Sequence, residues 1–270
     1  MLERVSKIPE YEIPGVAAPF LRHKARLSAA KPSVSSFNDT KSARTCGLSR
    51  LRHTLELGVD IIEMDVYLSE DGIPVVIHDS RLERTTNGTG FVSSKTFKEL
   101  SRLDAGVRFN GVFPNCRITS LEEFLAWAAN SQKLCLNVEI KDITHECVDK
   151  MIDMLRGLKL IDRTVIASFD AAVLRYAFKK YGVLTQGFPE SCMMNFDAHT
   201  YEAMYGAGVE MRDLTPEFCE KMRGFGVNPW GYCADTDEQV YQAIRAGVSM
   251  ITGNNPEPAL RILRQQGLHK

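Results

Sequence analysis

Two carboxylates and an imidazole lie within one short stretch of the chain, from Gly58 to His78. Glu63 and Asp65 are two residues apart in an apolar, β-branched run typical of a buried strand, so both side chains project from one face. Two buried carboxylates repel each other unless a positive charge lies between them, and a hard divalent cation is the usual partner. His78 follows a second apolar run and supplies a group that carries protons near neutral pH.

The residues between these groups predict a β-hairpin. The sequence Ser-Glu-Asp-Gly at 69–72 has the composition of a turn, and it separates a strand at 60–68 from a second strand at 73–77. A Glu-x-Asp pair also occurs in strands that bind no metal, and a histidine after an apolar run is often structural. The occurrence of both within one hairpin favours a functional site.

Composition excludes several classes of protein. The chain has 270 residues, 44% hydrophobic and 25% charged, which is typical of a globular protein. A net charge of −1 gives no reason to expect nucleic acid or an anionic membrane as partner. No apolar run is long enough for a transmembrane helix, and the first residues have no apolar core of signal-peptide length. The seven cysteines are scattered, with no Cys-x-x-Cys pair, so we expect a reducing, cytoplasmic setting.

Strands and helices alternate through the second half of the chain, as in parallel βαβ units. Adding the strand of the hairpin and a first strand at Val16–Leu21 gives eight, and the sequence therefore predicts a (β/α)8 TIM barrel. An open doubly wound sheet is the alternative, but no Gly-rich nucleotide loop follows any strand. We expect one barrel domain over 1–270, with 22–47, which is basic and rich in Ser, divergent or disordered. The later strands are predicted at 134–141, 164–169, 183–188, 209–214, 227–234 and 248–252, and the helices at 144–157, 171–181, 197–206, 215–224, 236–246 and 256–266.

In such a barrel the functional groups lie at the carboxyl ends of the strands. Glu139 and Lys141 are at the end of the strand that follows the hairpin, again two residues apart and so on one face. One interpretation is a buried ion pair. The other is a third carboxylate that converges with Glu63 and Asp65, beside a cation suited to a phosphate group.

Two aromatic residues share one face of the strand at 227–234. Trp230 and Tyr232 are again two residues apart. Packing in the core and lining of a ligand pocket are both compatible with this pattern.

These motifs resemble a known family. The stretch EMDVYLSEDGIPVVIHDSRLERTTNGTG at 63–90 is similar to the signature of the glycerophosphodiester phosphodiesterases. The resemblance covers about residues 48–267, although the family usually has an acidic residue after the position of Thr252. The shorter matching pieces are Ile118–Phe124, Val138–Lys141, Ala167–Phe169 with Leu174, Trp230, Ala246–Val248 and Ile251–Pro256.

The resemblance implies a (β/α)8 barrel in which residues 69–118 are partly an insertion. It implies an enzyme of lipid metabolism, a phosphoric diester hydrolase that converts small-molecule glycerophosphodiesters to glycerol 3-phosphate and an alcohol. In that reaction a hydroxyl of the substrate's own glycerol attacks the phosphorus, and water opens the resulting cyclic phosphate. The roles implied are a Ca²⁺ or Mg²⁺ site at Glu63, Asp65 and Glu139, one of two acid–base histidines at His78, a phosphate contact at Lys141 and a wall of the glycerol pocket at Trp230.

The first part of the chain departs from the family. Members open with His-Arg-Gly at the end of the first strand and have Glu-Asn-Thr about nine residues later, and neither motif is present. Counting back from Glu63 places the histidine position near Ser36. His23 is a candidate substitute if about 13 residues loop out, and His53 falls in the helix before the hairpin. Asp39 is the acid in this segment that could replace the missing glutamate.

Three interpretations of this departure are open. The segment is a divergent version of the first strand, and the enzyme is impaired or altered in its chemistry. Alternatively, the chain is a catalytically inactive barrel that binds a phosphodiester or a metal. The third interpretation is that residues 17–47 are translated from the wrong reading frame, because the composition changes abruptly there.

Overall fold

Eight parallel strands form the centre of the part of the chain that the structure describes. The structure is a computed structural model, and it describes the backbone of residues 33–37 and residues 55–107, 116–131 and 133–269. These residues belong to one unit, Lys31–Lys270. The strands are β1 (Ser33–Phe37), β2 (Ile61–Leu68), β3 (Pro74–Val76), β4 (Cys135–Ile140), β5 (Thr164–Ala167), β6 (Leu184–Gly187), β7 (Gly206–Glu210), β8 (Asn228–Tyr232) and β9 (Met250–Gly253).

Strand β1 closes the barrel. It pairs in parallel with β2 on one side and with β9 on the other, and the other parallel strands follow in the order β2, β4, β5, β6, β7, β8, β9. The short β3 adds to β2 in the antiparallel direction. The predicted (β/α)8 barrel is therefore confirmed.

The position of the first strand differs from the prediction. We expected it at Val16–Leu21, which lies outside the described residues, whereas β1 lies at Ser33–Phe37, within the segment 22–47 that we expected to be divergent or disordered. A strand that is paired on both sides is held by main-chain hydrogen bonds, which do not require an apolar sequence. The register aligns Ser36 with Ile62, so the count back from Glu63 reached the strand that the apolar pattern missed.

Helices follow the strands around the barrel. Most lie within two residues of their predicted bounds, but the helix expected at 197–206 is a single turn, and the strand expected at 209–214 begins three residues earlier, at Gly206. Glycine is depleted in strands, so Gly-Ala-Gly at 206–208 gave no strand signal. The helices that lie wholly within the described residues are α1 (Phe97–Leu100), α2 (Leu121–Ala128), α3 (His145–Gly157), α4 (Ala171–Tyr181), α5 (Thr200–Ala203), α6 (Pro216–Gly224), α7 (Asp237–Ala246) and α8 (Glu257–Gln265).

The main core lies between the strands and the helices. On β2, Ile62, Met64 and Val66 are each at most 1% exposed and belong to this core, so the alternate positions of the strand are left for the barrel interior. Covering a parallel strand on both faces keeps both sets of side chains out of water. Helix α2 begins at the predicted capping box, in which Ser120 accepts from the backbone N–H of Glu123 and the Glu123 carboxylate accepts from that of Ser120.

The segment after β2 forms a hairpin with a hydrophobic core of its own. The turn at 69–72 is the predicted one: the N–H of Gly72 donates to the carbonyl of Ser69 over 2.9 Å, and Gly72 has φ +70°, which favours glycine. The residues beyond it pack on one another as a second cluster, separate from the main core. The buried members of this cluster are Val75, Ile77, Leu82, Val92, Leu100, Ala105, Cys116 and Ile118.

No helix in residues 55–269, apart from the short gaps in that range, has the length and apolar character needed to cross a membrane.

Candidate active site

Three carboxylates converge inside the barrel. Glu63 and Asp65 on β2 are each 3% exposed, and Glu139 on β4 is 6% exposed. The parallel register places Asp65 directly beside Glu139, and one ligand atom from each of the three residues lies within 4.8 Å of the others. The side chains predicted to share a face on each strand therefore meet across two neighbouring strands.

The ammonium group of Lys141 lies against this cluster. Its Nζ donates to Glu139 Oε1 and lies 3.3 Å from Asp65 Oδ1. Burial alone would lower the pKa of Lys141, but the negative charges of Glu139 and Asp65 outweigh burial and the pKa is raised, so the side chain stays charged. The ion pair and the third carboxylate, which the sequence left as alternatives, are both present.

The donor set fits a hard divalent cation. Three carboxylates supply oxygen ligands only, as Ca²⁺ and Mg²⁺ prefer, and a set with no thiolate or imidazole does not favour a softer metal. Among the described residues, Lys141 is the cation that contacts this cluster, and one ammonium does not balance three carboxylates, so the site favours a further cation.

His78 belongs to a second charged group at the rim of the cavity. Its Nδ1 lies 2.5 Å from Asp79 Oδ1, and its side chain is 36% exposed. Arg84 binds the same carboxylate with two nitrogens, Nε to Oδ2 and Nη2 to Oδ1, the second over 2.6 Å. Asp79 thus fixes the orientation of the imidazole, and Arg84 fixes Asp79.

This contact determines which nitrogen of His78 faces the site. A proton on Nδ1 that is donated to Asp79 leaves the lone pair on Nε2. Arg84 Nη2 also lies 3.2 Å from Nδ1, but the carboxylate is closer and is the acceptor that Nδ1–H requires. Burial alone would raise the pKa of Asp79, whereas the hydrogen bonds from Arg84 and His78 lower it to about 2, so the carboxylate stays ionised.

Both groups line one cavity of about 470 Å³ at the carboxyl ends of the strands. Part of its wall is aromatic: Phe169 stacks on Phe188 with ring centroids 3.5 Å apart, and Phe188 meets Tyr232 edge-on at 5.9 Å. The Lys141 ammonium lies 5.3 Å from the centre of the Phe169 ring, so the aromatic wall begins beside the charged cluster. Trp230 also lines the cavity, and it is 4% exposed.

Two glycines of β7 make room for this wall. A Cβ on Gly206 would lie 2.7 Å from the Trp230 ring, and one on Gly208 would lie 2.8 Å from Gln186 Nε2 and 3.2 Å from the Tyr232 ring. A side chain at either position would displace its neighbours. The glycine-containing strand thus lets side chains of β6 and β8 fill the interior beside it.

Three carboxamides, of Asn137, Gln186 and Asn254, also line the cavity. Asn137 on β4 donates from Nδ2 to Gln186 Oε1 on β6 over 2.7 Å. Asn254, after β9, donates from Nδ2 to Asp235 Oδ2 over 2.7 Å, and the other oxygen of Asp235 accepts from the backbone N–H of Asn254. Each amide is therefore held by its nitrogen end.

The structure brings all the sequence-predicted site residues to this one cavity: Glu63, Asp65, His78, Glu139, Lys141 and Trp230. Several further lining residues were not predicted, namely Asp79, Arg84, Asn137, Gln186 and Asn254. The pairs His-Asp at 78–79 and Asn-x-Glu at 137–139 are visible signals, because one adjoins the histidine and the other shares the face of Glu139.

A second histidine is not among the described residues that line the cavity. Strand β1, at whose end the resemblance places a histidine, has the sequence Ser-Val-Ser-Ser-Phe. The candidate substitutes, His23 and His53, lie outside the described residues, as does Asp39.

A buried acidic cluster with a lysine and an oriented histidine, at the carboxyl ends of barrel strands, is the arrangement expected of a TIM-barrel enzyme that acts on a phosphate ester with a divalent cation. The chain belongs to the Glycerophosphoryl diester phosphodiesterase family, whose sequence model matches residues 40–258. It is 32% identical over 245 residues to a glycerophosphodiester phosphodiesterase of Caldanaerobacter subterraneus subsp. tengcongensis, and the aligned region covers 87% of this chain and 98% of that relative.

Solved structures share the fold. A glycerophosphodiester phosphodiesterase from Agrobacterium tumefaciens matches with a TM-score of 0.72 at 22% identity, covering 85% of this chain and 99% of that one. An Oleispira antarctica phosphodiesterase, solved in complex with the product sn-glycerol-3-phosphate, matches with a TM-score of 0.76 at 19% identity, covering 87% and 97%.

Proposed function

We propose that this protein hydrolyses glycerophosphodiesters to glycerol 3-phosphate and an alcohol, using a divalent cation. The observation that carries the proposal is the convergence of three buried carboxylates, a charged lysine and an oriented histidine on one cavity. Membership of the family supports it, as does the size of the cavity, which is suited to a small molecule.

In this proposal Glu63, Asp65 and Glu139 hold Ca²⁺ or Mg²⁺. The bound cation would neutralise charge on the phosphoryl oxygens and draw electron density from phosphorus. Ca²⁺ accepts six to eight oxygen ligands and Mg²⁺ six, so three carboxylates leave positions for the substrate or water with either ion.

Lys141 is proposed to contact the phosphate. Its ammonium is charged and 18% exposed, and it has the acidic cluster on one side and the aromatic wall on the other. A fixed positive charge at this position stabilises the additional negative charge that develops on the phosphoryl oxygens in the transition state. Trp230 is proposed to pack against the carbon chain of the glycerol, because its ring lines the cavity next to Gly206.

His78 is proposed to move a proton at Nε2. When the glycerol hydroxyl attacks phosphorus, one proton leaves that hydroxyl and the oxygen of the departing alcohol takes one up. With Nδ1–H donated to Asp79, Nε2 can accept a proton as a base, or donate one as an acid once the ring is protonated, and the Asp79 carboxylate stabilises the charged ring. His78 is placed for one of the two transfers.

A second function is favoured by one observation. Strand β1 carries no histidine at the position where the resemblance expects one, so the second proton transfer has no assigned group among the described residues. A barrel with the cation site, the lysine and the aromatic wall but no turnover would bind a phosphodiester without cleaving it. We therefore keep a catalytically inactive phosphodiester- or metal-binding protein as the alternative.

Hydrolysis of glycerophosphocholine separates the two functions. The release of choline is measured with Ca²⁺, with Mg²⁺ and with EDTA, for the wild type and for His78→Ala. If the protein is an enzyme, choline release should require metal. Its rate should fall at least a hundredfold in His78→Ala, because acid–base catalysis contributes factors of about 10² to 10⁴. A wild-type rate no higher than that of His78→Ala would refute the enzyme.

The binding protein predicts a different outcome of the same experiment. It predicts an increase in the melting temperature on addition of metal and glycerol phosphates, with no release of choline. His199→Ala is the matched control, because His199 is exposed and pairs with Glu202 away from the cavity, so neither turnover nor stabilisation by ligand should change.

We propose further that the chain acts as one barrel domain in lipid metabolism, because glycerophosphodiesters are deacylated phospholipids. A cytoplasmic setting is supported by five free thiols, at Cys135, Cys147, Cys192, Cys219 and Cys233, and opposed by the disulfide bond of Cys116. Thiol counting on the unfolded protein, with and without reductant, tests this setting. Seven free thiols without reductant would support a cytoplasmic setting, and five, which means one disulfide bond, would contradict it.

A further inference from the structure

A buried amide oxygen of a residue that lines the cavity has no assigned role. Asn137 is 4% exposed and lines the cavity, and its Oδ1 has no hydrogen-bond partner among the described residues. A buried acceptor without a hydrogen-bond partner costs free energy, because it has lost its bonds to water. A ligand that donates a hydrogen bond to this oxygen would therefore gain binding free energy.

The orientation of this amide is fixed by its neighbours. Gln186 Nε2 donates to the carbonyl of Gly187 over 3.3 Å, which leaves Gln186 Oε1 as the acceptor. That oxygen accepts from Asn137 Nδ2 over 2.7 Å, so the nitrogen end of Asn137 is occupied and the oxygen end is the one left over. Gly208 provides the room for Gln186, because a Cβ there would lie 2.8 Å from Gln186 Nε2.

Strand geometry places Asn137 below the charged groups. Asn137, Glu139 and Lys141 follow at intervals of two along one face, and each interval spans about 6.6 Å. Lys141 lies nearest the carboxyl end, where the phosphate is proposed to bind, and Asn137 lies deepest. The register pairs Asn137 with Glu63, at the lower edge of the cation cluster.

We propose that Asn137 Oδ1 accepts a hydrogen bond from the terminal hydroxyl of the substrate's glycerol unit and thereby selects glycerol over alcohols that lack it. The inference rests on the proposed function. With the phosphate at Lys141, the glycerol carbon chain runs down past Trp230, and the hydroxyl farthest from phosphorus reaches Asn137. That hydroxyl is a donor, and Asn137 Oδ1 is an acceptor of fixed orientation that no described residue pairs.

The test compares two substrates and two variants. Glycerophosphocholine is assayed beside its analogue with propane-1,2-diol in place of glycerol, which lacks the terminal hydroxyl and keeps the attacking one. The wild type should prefer glycerophosphocholine in kcat/KM by about ten- to a hundredfold, the factor expected for a buried acceptor left unpaired. In Asn137→Leu this preference should fall below about threefold. Asn130→Leu, on the surface, should keep the preference of the wild type.

A binding measurement keeps this inference separate from the proposed function. Stabilisation by sn-glycerol 3-phosphate and by propane-1,2-diol phosphate, which lacks the same hydroxyl, needs no turnover, and the wild type should bind the first more tightly by the same factor. A wild type that cleaves nothing yet shows this preference, and loses it in Asn137→Leu, would refute the proposed function and support the inference.

Two results would overturn the inference. One is an Asn137→Leu protein that keeps the wild-type preference between the two ligands. The other is loss of stabilisation by Mg²⁺ or Ca²⁺ alone in that variant, which would assign Asn137 to the cation site. If Asn137→Leu does not fold, Asn137→Ala removes the same oxygen with less steric demand and is judged by the same ratios.

Discussion

Lys141 and the proposed divalent cation would neutralise the same carboxylates, and this competition makes the substitution Lys141→Met informative. The ammonium is 18% exposed, and its partners Asp65 and Glu139 have side chains only 3% and 8% exposed. Methionine has a similar length and no charge, so the variant leaves the acidic cluster without its internal counter-charge while the cavity remains filled.

The expected loss of stability follows from this burial. Removing one partner of a buried ion pair costs about 3–5 kcal/mol, because the remaining charges are left uncompensated. For a protein of this size, that loss corresponds to a decrease in melting temperature on the order of 10 °C. The matched control is Lys150→Met: Lys150 pairs with Glu146 at side-chain exposures of 37% and 62% and donates to the carbonyl of Gly72 over 2.7 Å, and an exposed pair together with one such hydrogen bond is worth about 1–2 kcal/mol.

Addition of metal should raise the melting temperature of Lys141→Met more than that of the wild type. In the wild type the ammonium already neutralises part of the cluster and opposes the cation, whereas in Lys141→Met that opposing charge is gone and the cation interacts with Asp65 and Glu139 without it. Calorimetric melting in EDTA and then in saturating Mg²⁺ or Ca²⁺ should therefore show a larger metal-induced gain in the variant. The reasoning is refuted if Lys141→Met melts like Lys150→Met in EDTA, or if metal stabilises it no more than it stabilises the wild type.

The remaining predictions concern the partner of His78 and the glycine strand. Asp79→Asn should lower kcat/KM for glycerophosphocholine by about ten- to a hundredfold, because a hydrogen bond to a charged group is worth about 1.5–3 kcal/mol; an unchanged rate would mean that His78 is oriented without Asp79. The pKa of Asp79 is about 2 in the folded protein against an ordinary 3.8, so its ionised form stabilises the fold above pH 4 and this contribution disappears as the pH falls toward 2. Urea unfolding of the wild type and Asp79→Asn should accordingly converge over that interval, and a constant difference would contradict the assignment. Gly206→Ala should destabilise by about 1–3 kcal/mol, because its Cβ would lie 2.7 Å from the Trp230 ring, whereas Gly224→Ala, with no atom within 4 Å, should melt close to the wild type.

The sequence could predict those site residues that share a strand face with another site residue two positions along the chain. Glu63 and Asp65, and then Glu139 and Lys141, were paired by strand alternation alone, and the structure has both pairs facing the barrel interior. The register that sets Asp65 beside Glu139 joins residues more than seventy positions apart, so it became visible only with the fold. The contact between Asn137 and Gln186 depends on a third strand and was invisible for the same reason.

The errors have physical causes as well. The apolar run Val16–Leu21 looked more like a strand than Ser33–Phe37 did, because apolar periodicity reports burial of side chains and says nothing of main-chain pairing. Strand β7 was placed too late because Gly206 and Gly208, which the crowded interior requires, have low strand propensity. In both cases the tertiary structure overrode the local signal.

The second hydrophobic cluster, which includes Val75, Leu82 and Ile118, divides the lining of the site between two packed units. The three carboxylates proposed to hold the cation lie on β2 and β4, whose other face belongs to the main core, whereas His78, Asp79 and Arg84 extend from the hairpin whose side chains pack in the smaller cluster. Small units with few buried groups open at lower free energy than the barrel that carries them. Mild heat or denaturant should therefore expose the amide protons of the hairpin to exchange and halt proton transfer while the barrel still binds its cation, so inactivation should precede global unfolding.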